Sequence, residues 1–221
     1  PAITGALHPD DDSGDSNSDG ITSDNTPRFA GTISGEYNEL YVELNGVKRY
    51  VYQEDANGNV LVDLVDENGD WVLPITTPLA DGYHNYKIVA TDAANNEALI
   101  QNSIRVKTDI EFTTYLEGDS GDLDTDFISN ETSLVFKGIT EPGNTIVAKL
   151  YDSNDQLLAT LNLTSNNSGY YTADFGDNFD PATYKVMFDV SDAAGNTHDL
   201  TIENVIIDTA VADLTMDFDS T

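Results

Sequence analysis

Cysteine is absent from the 221 residues, so no disulfide can staple the fold and each domain needs a sufficient core or another staple. Basic residues are scarce: 9 Lys plus Arg stand against 40 Asp plus Glu, for a formal net charge of -31. A chain of this sign repels phosphate backbones, which excludes nucleic acid as a partner, and it is disfavoured at anionic membrane surfaces. The three histidines are scattered at 8, 84 and 198, which disfavours zinc. No apolar run approaches the roughly 20 residues that span a bilayer, and no signal peptide opens the chain, so direct membrane insertion is not expected. A helical period of useful length is missing too. The ends, Pro1-Ala2-Ile3 and Asp219-Ser220-Thr221, read as those of a fragment cut from a longer protein.

What is present is a duplicated pattern of short strands. Hydrophobic residues make up 39%, too many for a disordered acidic tail. Ser13-Gly14-Asp15 recurs as Ser120-Gly121-Asp122, an offset of 107 (from 13 to 120) that also pairs Phe29 with Phe136 and Gly31 with Gly138. Further on, Thr91-Asp92-Ala93-Ala94-Asn95-Asn96 recurs as Ser191-Asp192-Ala193-Ala194-Gly195-Asn196, an offset of 100 (from 91 to 191). Similarity at both ends of each copy, with a change of length between, is what duplicated domains look like. The extra residues of the first copy fall in a longer hairpin around Val47 to Val65.

Within each copy apolar residues alternate at period two, as in Leu40, Val42 and Leu44 or Val186, Phe188 and Val190, which signals half-buried strands. Asn45-Gly46, Asn57-Gly58, Asn68-Gly69, Asp81-Gly82 and Pro142-Gly143 separate them as turns. The reading is all-β: two tandem immunoglobulin-like β-sandwich domains end to end, over 1–108 and 109–212, with 213–221 starting a following repeat. In the second copy strands are expected near 111–116, 132–139, 144–151, 157–163, 169–175, 183–191 and 197–207. Tyr184, after Asp180-Pro181, is placed as the tyrosine of a corner motif. Trp71 and the tyrosines are read as core.

Carboxylates collect between the first two strands of each copy. The first reads Asp15-Ser16-Asn17-Ser18-Asp19-Gly20-Ile21-Thr22-Ser23-Asp24 and the second Asp122-Leu123-Asp124-Thr125-Asp126-Phe127-Ile128-Ser129-Asn130-Glu131. Both offer acidic or amide oxygens at positions 1, 3 and 5, a carbonyl at 7 (Ile21, Ile128) and a carboxylate at 10. Calcium takes six to eight oxygen ligands, and a loop curling round the ion brings alternate side chains inward. The loops are therefore expected to bind Ca2+ in an EF-hand-like manner on a β scaffold, without the Glu at position 12 and without flanking helices. Topology adds a second cluster. Stacked sandwiches bring the first A–B loop to the second F–G loop, gathering Asp10, Asp11, Asp12, Asp109, Asp192 and Asn196 into one candidate metal neighbourhood. By the same logic Asp92 and Asn96 face a preceding module, and Asp208 and Asp213 a following one.

These residues resemble the bacterial immunoglobulin-like repeats of giant surface adhesins exported by type I secretion, of RTX type. The likeness is carried by Ser13-Gly14-Asp15 through Pro27, Gly31-Thr32, Glu141-Pro142-Gly143, Asn68-Gly69-Asp70-Trp71, Leu79-Ala80-Asp81-Gly82-Tyr83, and the loop Asp192 to Asn196. It implies extracellular tandem repeats at the bacterial surface that rigidify on binding calcium and project an adhesive tip for attachment or biofilm formation. The partners implied are neighbouring repeats of the same chain, with the chain monomeric and no receptor identified. Three departures stand out: Asn95 replaces the loop glycine, Lys107 stands where the second copy has Asp208, and Phe127 replaces the turn glycine Gly20.

An enzyme is not expected. Gly118-Asp119-Ser120-Gly121-Asp122 is similar to a serine-protease nucleophile segment, but an activated serine needs a histidine base and an oxyanion hole, and Ser13 is its equivalent in the other copy. The alternative to an extender is a receptor- or carbohydrate-binding module, with Tyr41, Tyr50 and Tyr52 as an aromatic platform.

Overall fold

The computed structural model describes residues 1–120, 123 and 125–210. Every regular element among them is a strand, and the strands form two β-sandwich immunoglobulin-like domains from four sheets. In the first, β1 (Ala2–Leu7), β3 (Arg28–Ser34) and β7 (Asp70–Pro74) make one sheet, in the order β1-β3-β7. The facing sheet runs β2-β9-β8-β4-β5-β6, from β2 (Ile21–Thr22), β4 (Glu39–Leu44), β5 (Val47–Glu54), β6 (Val60–Asp63), β8 (Gly82–Thr91) and β9 (Glu97–Val106). The second domain repeats the plan. β10 (Thr113–Leu116), β12 (Val135–Ile139) and β15 (Tyr170–Asp174) form its smaller sheet. β11 (Ile128–Ser129), β17 (Thr197–Ile207), β16 (Thr183–Ser191), β13 (Thr145–Tyr151) and β14 (Leu157–Thr164) form the larger, in that order.

Alternation decides which side chains enter the core. In β16 every second residue from Tyr184 to Val190 is buried, as period-two side-chain direction requires. Phe29, Leu40, Val42, Ile88 and Trp71 fill the first core; Leu134, Phe136, Ile146, Leu150 and Phe188 fill the second. Trp71 packs because β3 carries a glycine opposite it. A Cβ on Gly31 would fall 2.7 Å from the Trp71 ring and 2.0 Å from Thr4 O. Gly138 is equally tied, since its Cβ would meet Thr113 O at 1.9 Å and the Tyr171 ring at 2.8 Å.

The seven strands expected in the second copy are present within a few residues of their expected bounds. The fourth, β14, pairs with β13 and so belongs to the larger sheet. The longer hairpin of the first copy adds the edge strand β6, paired to β5. The two-residue strands β2 and β11, which pair parallel to β9 and β17, are too short to show alternation and were not expected. Tyr184 makes the corner, its hydroxyl donating to Asp180 O at 2.8 Å. His84 stands at the matching place in the first copy, with Nε2 2.7 Å from Ala80 O, so an imidazole takes the role of the phenol.

The chain divides into two compact units, Pro1–Asp109 with Asp192–Asn196, and Ile110–Ser191 with Thr197–Thr221. The loop Asp192–Asn196 thus belongs by its contacts to the first unit.

Candidate metal loops

The segment between β1 and β3 folds back on itself through a fixed set of hydrogen bonds. Ser13 N donates to Ile21 O at 3.2 Å, Thr22 Oγ1 to Asp11 O at 2.5 Å, and Ser23 N to Ser13 Oγ at 2.8 Å. Arg105 N donates to Gly20 O and Lys107 N to Thr22 O, at 2.8 and 2.9 Å. The second copy builds the same frame. Ser120 N donates to Ile128 O at 2.9 Å, Ser129 Oγ to Gly118 O at 2.6 Å, and Asn130 N to Ser120 Oγ at 3.0 Å. Ile206 N donates to Phe127 O and Asp208 N to Ser129 O, both at 2.9 Å. Serine and threonine suit these loops because a short hydroxyl replaces a backbone partner where no ladder exists. The turn residue adopts positive φ in both, 77° at Gly20 and 61° at Phe127. Only the glycine does so without steric cost.

One carboxylate per loop is turned inward. Asp12 is only 6% exposed; its Oδ2 accepts from Gly20 N at 3.1 Å, while its Oδ1 is buried with no hydrogen-bond partner. Asp119, offset by 107 residues (from 12 to 119), repeats this: Oδ2 accepts from Phe127 N at 3.0 Å and Oδ1 is buried without a partner. Burial pushes the Asp12 carboxyl up from its ordinary value; the Gly20 and Ile21 N–H groups oppose this and the facing Asp19 carboxylate adds to it. Two ionised carboxylates are both acceptors, so Asp19 gives Asp12 no donor, only repulsion. A cavity of about 200 Å³ opens beside them, lined among others by Asp12, Asn17, Ser18, Asp19 and Gly20.

Of the first expected ligand set, the fold therefore brings Asn17 and Asp19 to one cavity, together with Asp12. Asp15, Ile21 and Asp24 do not line it. Asp15 N donates to Ala193 O at 3.4 Å, and Asp24 Oδ1 accepts from Thr26 N and Oγ1 at 2.7 and 3.0 Å. Asp19 Oδ1 accepts from Ile21 N at 3.0 Å, as Asp126 Oδ1 does from Ile128 N at 3.2 Å. Glu131 lies beside Gly118, whose Cβ would fall 3.1 Å from Glu131 Oε2. Asp122, Asp124, Asp213 and the start of a following repeat at 213–221 lie outside the described residues.

The second expected cluster resolves into separate commitments. Asp10 is exposed and 3.9 Å from the Arg28 guanidinium. Asp11 receives three bonds from Arg28, from N, Nε and Nη2 at 2.7, 2.9 and 2.6 Å, and the Arg28 hydrogen bond is the main cause holding its carboxyl below the ordinary value against burial. Asp92 closes its own loop: Oδ1 accepts from Ala94 N and Asn96 N, both at 2.9 Å, and Oδ2 from Asn96 Nδ2 at 2.8 Å. Asp192 closes the same loop and also meets the Lys107 ammonium. Asp109 offers its carbonyl to Lys107 Nζ at 3.0 Å. Asp208 Oδ1 accepts from Ala210 N at 2.9 Å.

Among the described residues no group of three or more His, Asp or Glu side chains is placed to hold a metal ion. The fit to a divalent cation rests on the two buried, donorless oxygens of Asp12 and Asp119. Sequence reasoning placed Asp12 in the wider cluster and passed over Asp119, although both immediately precede the repeated Ser-Gly-Asp. Of the tyrosines considered as an aromatic platform, Tyr41 is buried beside the half-buried Tyr50, and Tyr52 packs on Tyr37 with centroids 4.8 Å apart.

A paired-sheet sandwich with this strand order, built twice, defines an immunoglobulin-like protein. The chain belongs to the bacterial Ig-like domain family (Big_13), whose model matches residues 1–110 and again 109–209. No curated protein matches it. Among solved structures it is similar to a tetra-tandem repeat in the extending region of a large adhesion protein, at 18% identity and a TM-score of 0.41, covering 95% of this chain and 51% of that one. A Ca2+-stabilized adhesin that helps an Antarctic bacterium reach out and bind ice gives 20% identity and 0.40, covering 94% and 48%. A 1.5-MDa bacterial ice-binding adhesin gives 16% and 0.38, covering 95% and 65%. The chain spans about half to two thirds of the length of these structures.

Proposed function

We propose that this chain is a non-catalytic extender segment of a bacterial cell-surface adhesin, in which calcium held by the β1–β3 and β10–β12 loops stiffens each sandwich. The observation that carries the reading is the matched pair of buried carboxylate oxygens, Asp12 Oδ1 and Asp119 Oδ1, that have no donor. Leaving a buried charge uncompensated costs several kcal/mol, and a divalent ion with water and loop carbonyls would remove that cost. Asn17 and Asp19 would join Asp12 as ligands, and Asp126 and Glu131 would join Asp119. Calcium suits the oxygen-only donor set better than zinc, and extracellular calcium modules typically bind at about 10⁻⁴ to 10⁻³ M. Binding restricted to the folded form adds about 2.7 kcal/mol per site at a hundredfold excess over Kd. Each module contributes roughly 40 Å of reach, from strands of seven or eight residues plus loops. Membership of a bacterial Ig-like family supports the extracellular setting.

Calorimetric titration of the full chain with calcium tests the reading. The expected result is saturable heat that Asp12→Asn and Asp119→Asn each reduce by one site. No heat beyond dilution, with a melting temperature indifferent to EDTA, would overturn it.

A further inference from the structure

Lys107 and Asp208 occupy one place in the two copies, each donating its backbone N–H across to Thr22 or Ser129 at 2.9 Å, yet their charges are opposite. The Lys107 side chain is 10% exposed and that of Asp192 1%. The ammonium lies directly on Asp192 Oδ2 and donates to Asp109 O at 3.0 Å. The remaining valences of Asp192 are filled by its own loop. Ala194 N and Asn196 N donate to Oδ1, both at 2.9 Å, and Asn196 Nδ2 reaches Oδ2 at 3.0 Å and Lys107 O at 2.8 Å. All these residues fall within the first compact unit.

The same loop is gripped on its far side by Ser13 and Gly14. Ser13 Oγ donates to Ala194 O at 2.6 Å, and a Cβ on Gly14 would stand 1.9 Å from Ala193 O. Asp192 is therefore a charge inside a closely packed seat, where an unpaired carboxylate is untenable. Its counterpart Asp92 has the identical loop closure but is only half-buried, with no lysine ammonium or arginine guanidinium laid on it among the described residues.

We propose that Lys107 is a built-in counter-cation standing where a divalent ion would otherwise be needed, so that the Asp192–Asn196 loop stays seated on the first unit without calcium. An ammonium delivers one charge and three donors, and here they go to Asp192 Oδ2 and Asp109 O among others. A calcium ion needs six to eight oxygens at about 2.3–2.6 Å, and the ammonium would repel it. At Asp208 the sign is reversed: a loop of the Asp92 type meeting that carboxylate would need a cation from solution. This inference is independent of calcium in the β1–β3 loop, whose failure would appear as missing heat in the titration above.

Amide hydrogen exchange of residues 192–196 in the full chain, in EDTA and in millimolar calcium, tests it. The native chain is expected to show equal protection in both. Lys107→Met should lose roughly tenfold in both conditions, and Lys107→Asp should lose it in EDTA and regain it in calcium. Lys107→Arg should hold it throughout. If Lys107→Met fails to fold, as judged by circular dichroism, Asp192→Asn serves in its place, with the same loss expected. Native protection that falls tenfold in EDTA, or a Lys107→Met or Asp192→Asn variant as protected as the native chain, would overturn the proposal.

Discussion

At the scale of single residues, a few positions have no freedom. Gly138 lies between Thr113 O and the Tyr171 ring, so Gly138→Ala must push β10 off β12. The expected loss is about 3 kcal/mol, the upper end for overpacking, read from urea midpoints at constant slope. Tyr184→Phe removes the bond to Asp180 O and should cost about 1 kcal/mol. Other residues act through charge. Asp66 and Asp152 accept backbone N–H groups of their own loops, Asp70 and Asn68 for the first, Gln156 and Asn154 for the second, and these bonds hold both carboxyls below 3.8. A carboxyl lowered on folding stabilises above its unfolded value, and that stabilisation is lost as pH falls through the folded one. Asp66→Asn and Asp152→Asn keep an acceptor but not the charge. Their deficit in urea unfolding should be visible near neutrality and vanish at a pH below the lowered values.

At the scale of elements, alternation exposed strands such as β16, because one face is buried and the other is not. It could not reveal β2 and β11, where two residues pair parallel to a long neighbour and hydrogen bonding alone defines the strand. The five-residue turn led by Asp or Asn recurs at Asp55, Asp66, Asp92, Asp152, Asn166 and Asp192, each accepting from the N–H groups two and four residues on. Two of the carboxylates that read as metal-binding in the sequence, Asp92 and Asp192, close this turn. Spacing alone cannot separate an Asp that closes its own loop from one that faces a cavity. The Asp before each Ser-Gly-Asp is the one with a buried oxygen that has no donor, and only its place ahead of a repeated motif marks it in the sequence. The extra edge strand β6 exposes Val60 and Leu61 by more than half, an open pairing edge. Leu61→Lys should leave the melting temperature nearly unchanged and lower light scattering in concentrated samples.

At the scale of the whole molecule, a net charge of -31 makes compaction self-repelling, and screening by salt relieves it. Without calcium, sodium chloride should raise the melting temperature gradually. Calcium should raise it further at equal ionic strength if ions are held at Asp12 and Asp119, and Asp12→Asn with Asp119→Asn should reduce calcium to the effect of salt alone. Scanning calorimetry at matched ionic strength reads the difference. Both domains were legible from the duplication.

The parallel pairing of β2 with β9, and of β11 with β17, bears on how each sandwich answers a pull. Tension entering the chain ahead of β2 and leaving behind β9 draws two co-directional strands past one another. The bonds at Gly20 O and Thr22 O, like those at Phe127 O and Ser129 O, are then strained together and cannot part in sequence like the teeth of a zipper. A tether loaded this way yields late and abruptly, and the Asp12 and Asp119 carboxylates sit beside the rungs that must break first.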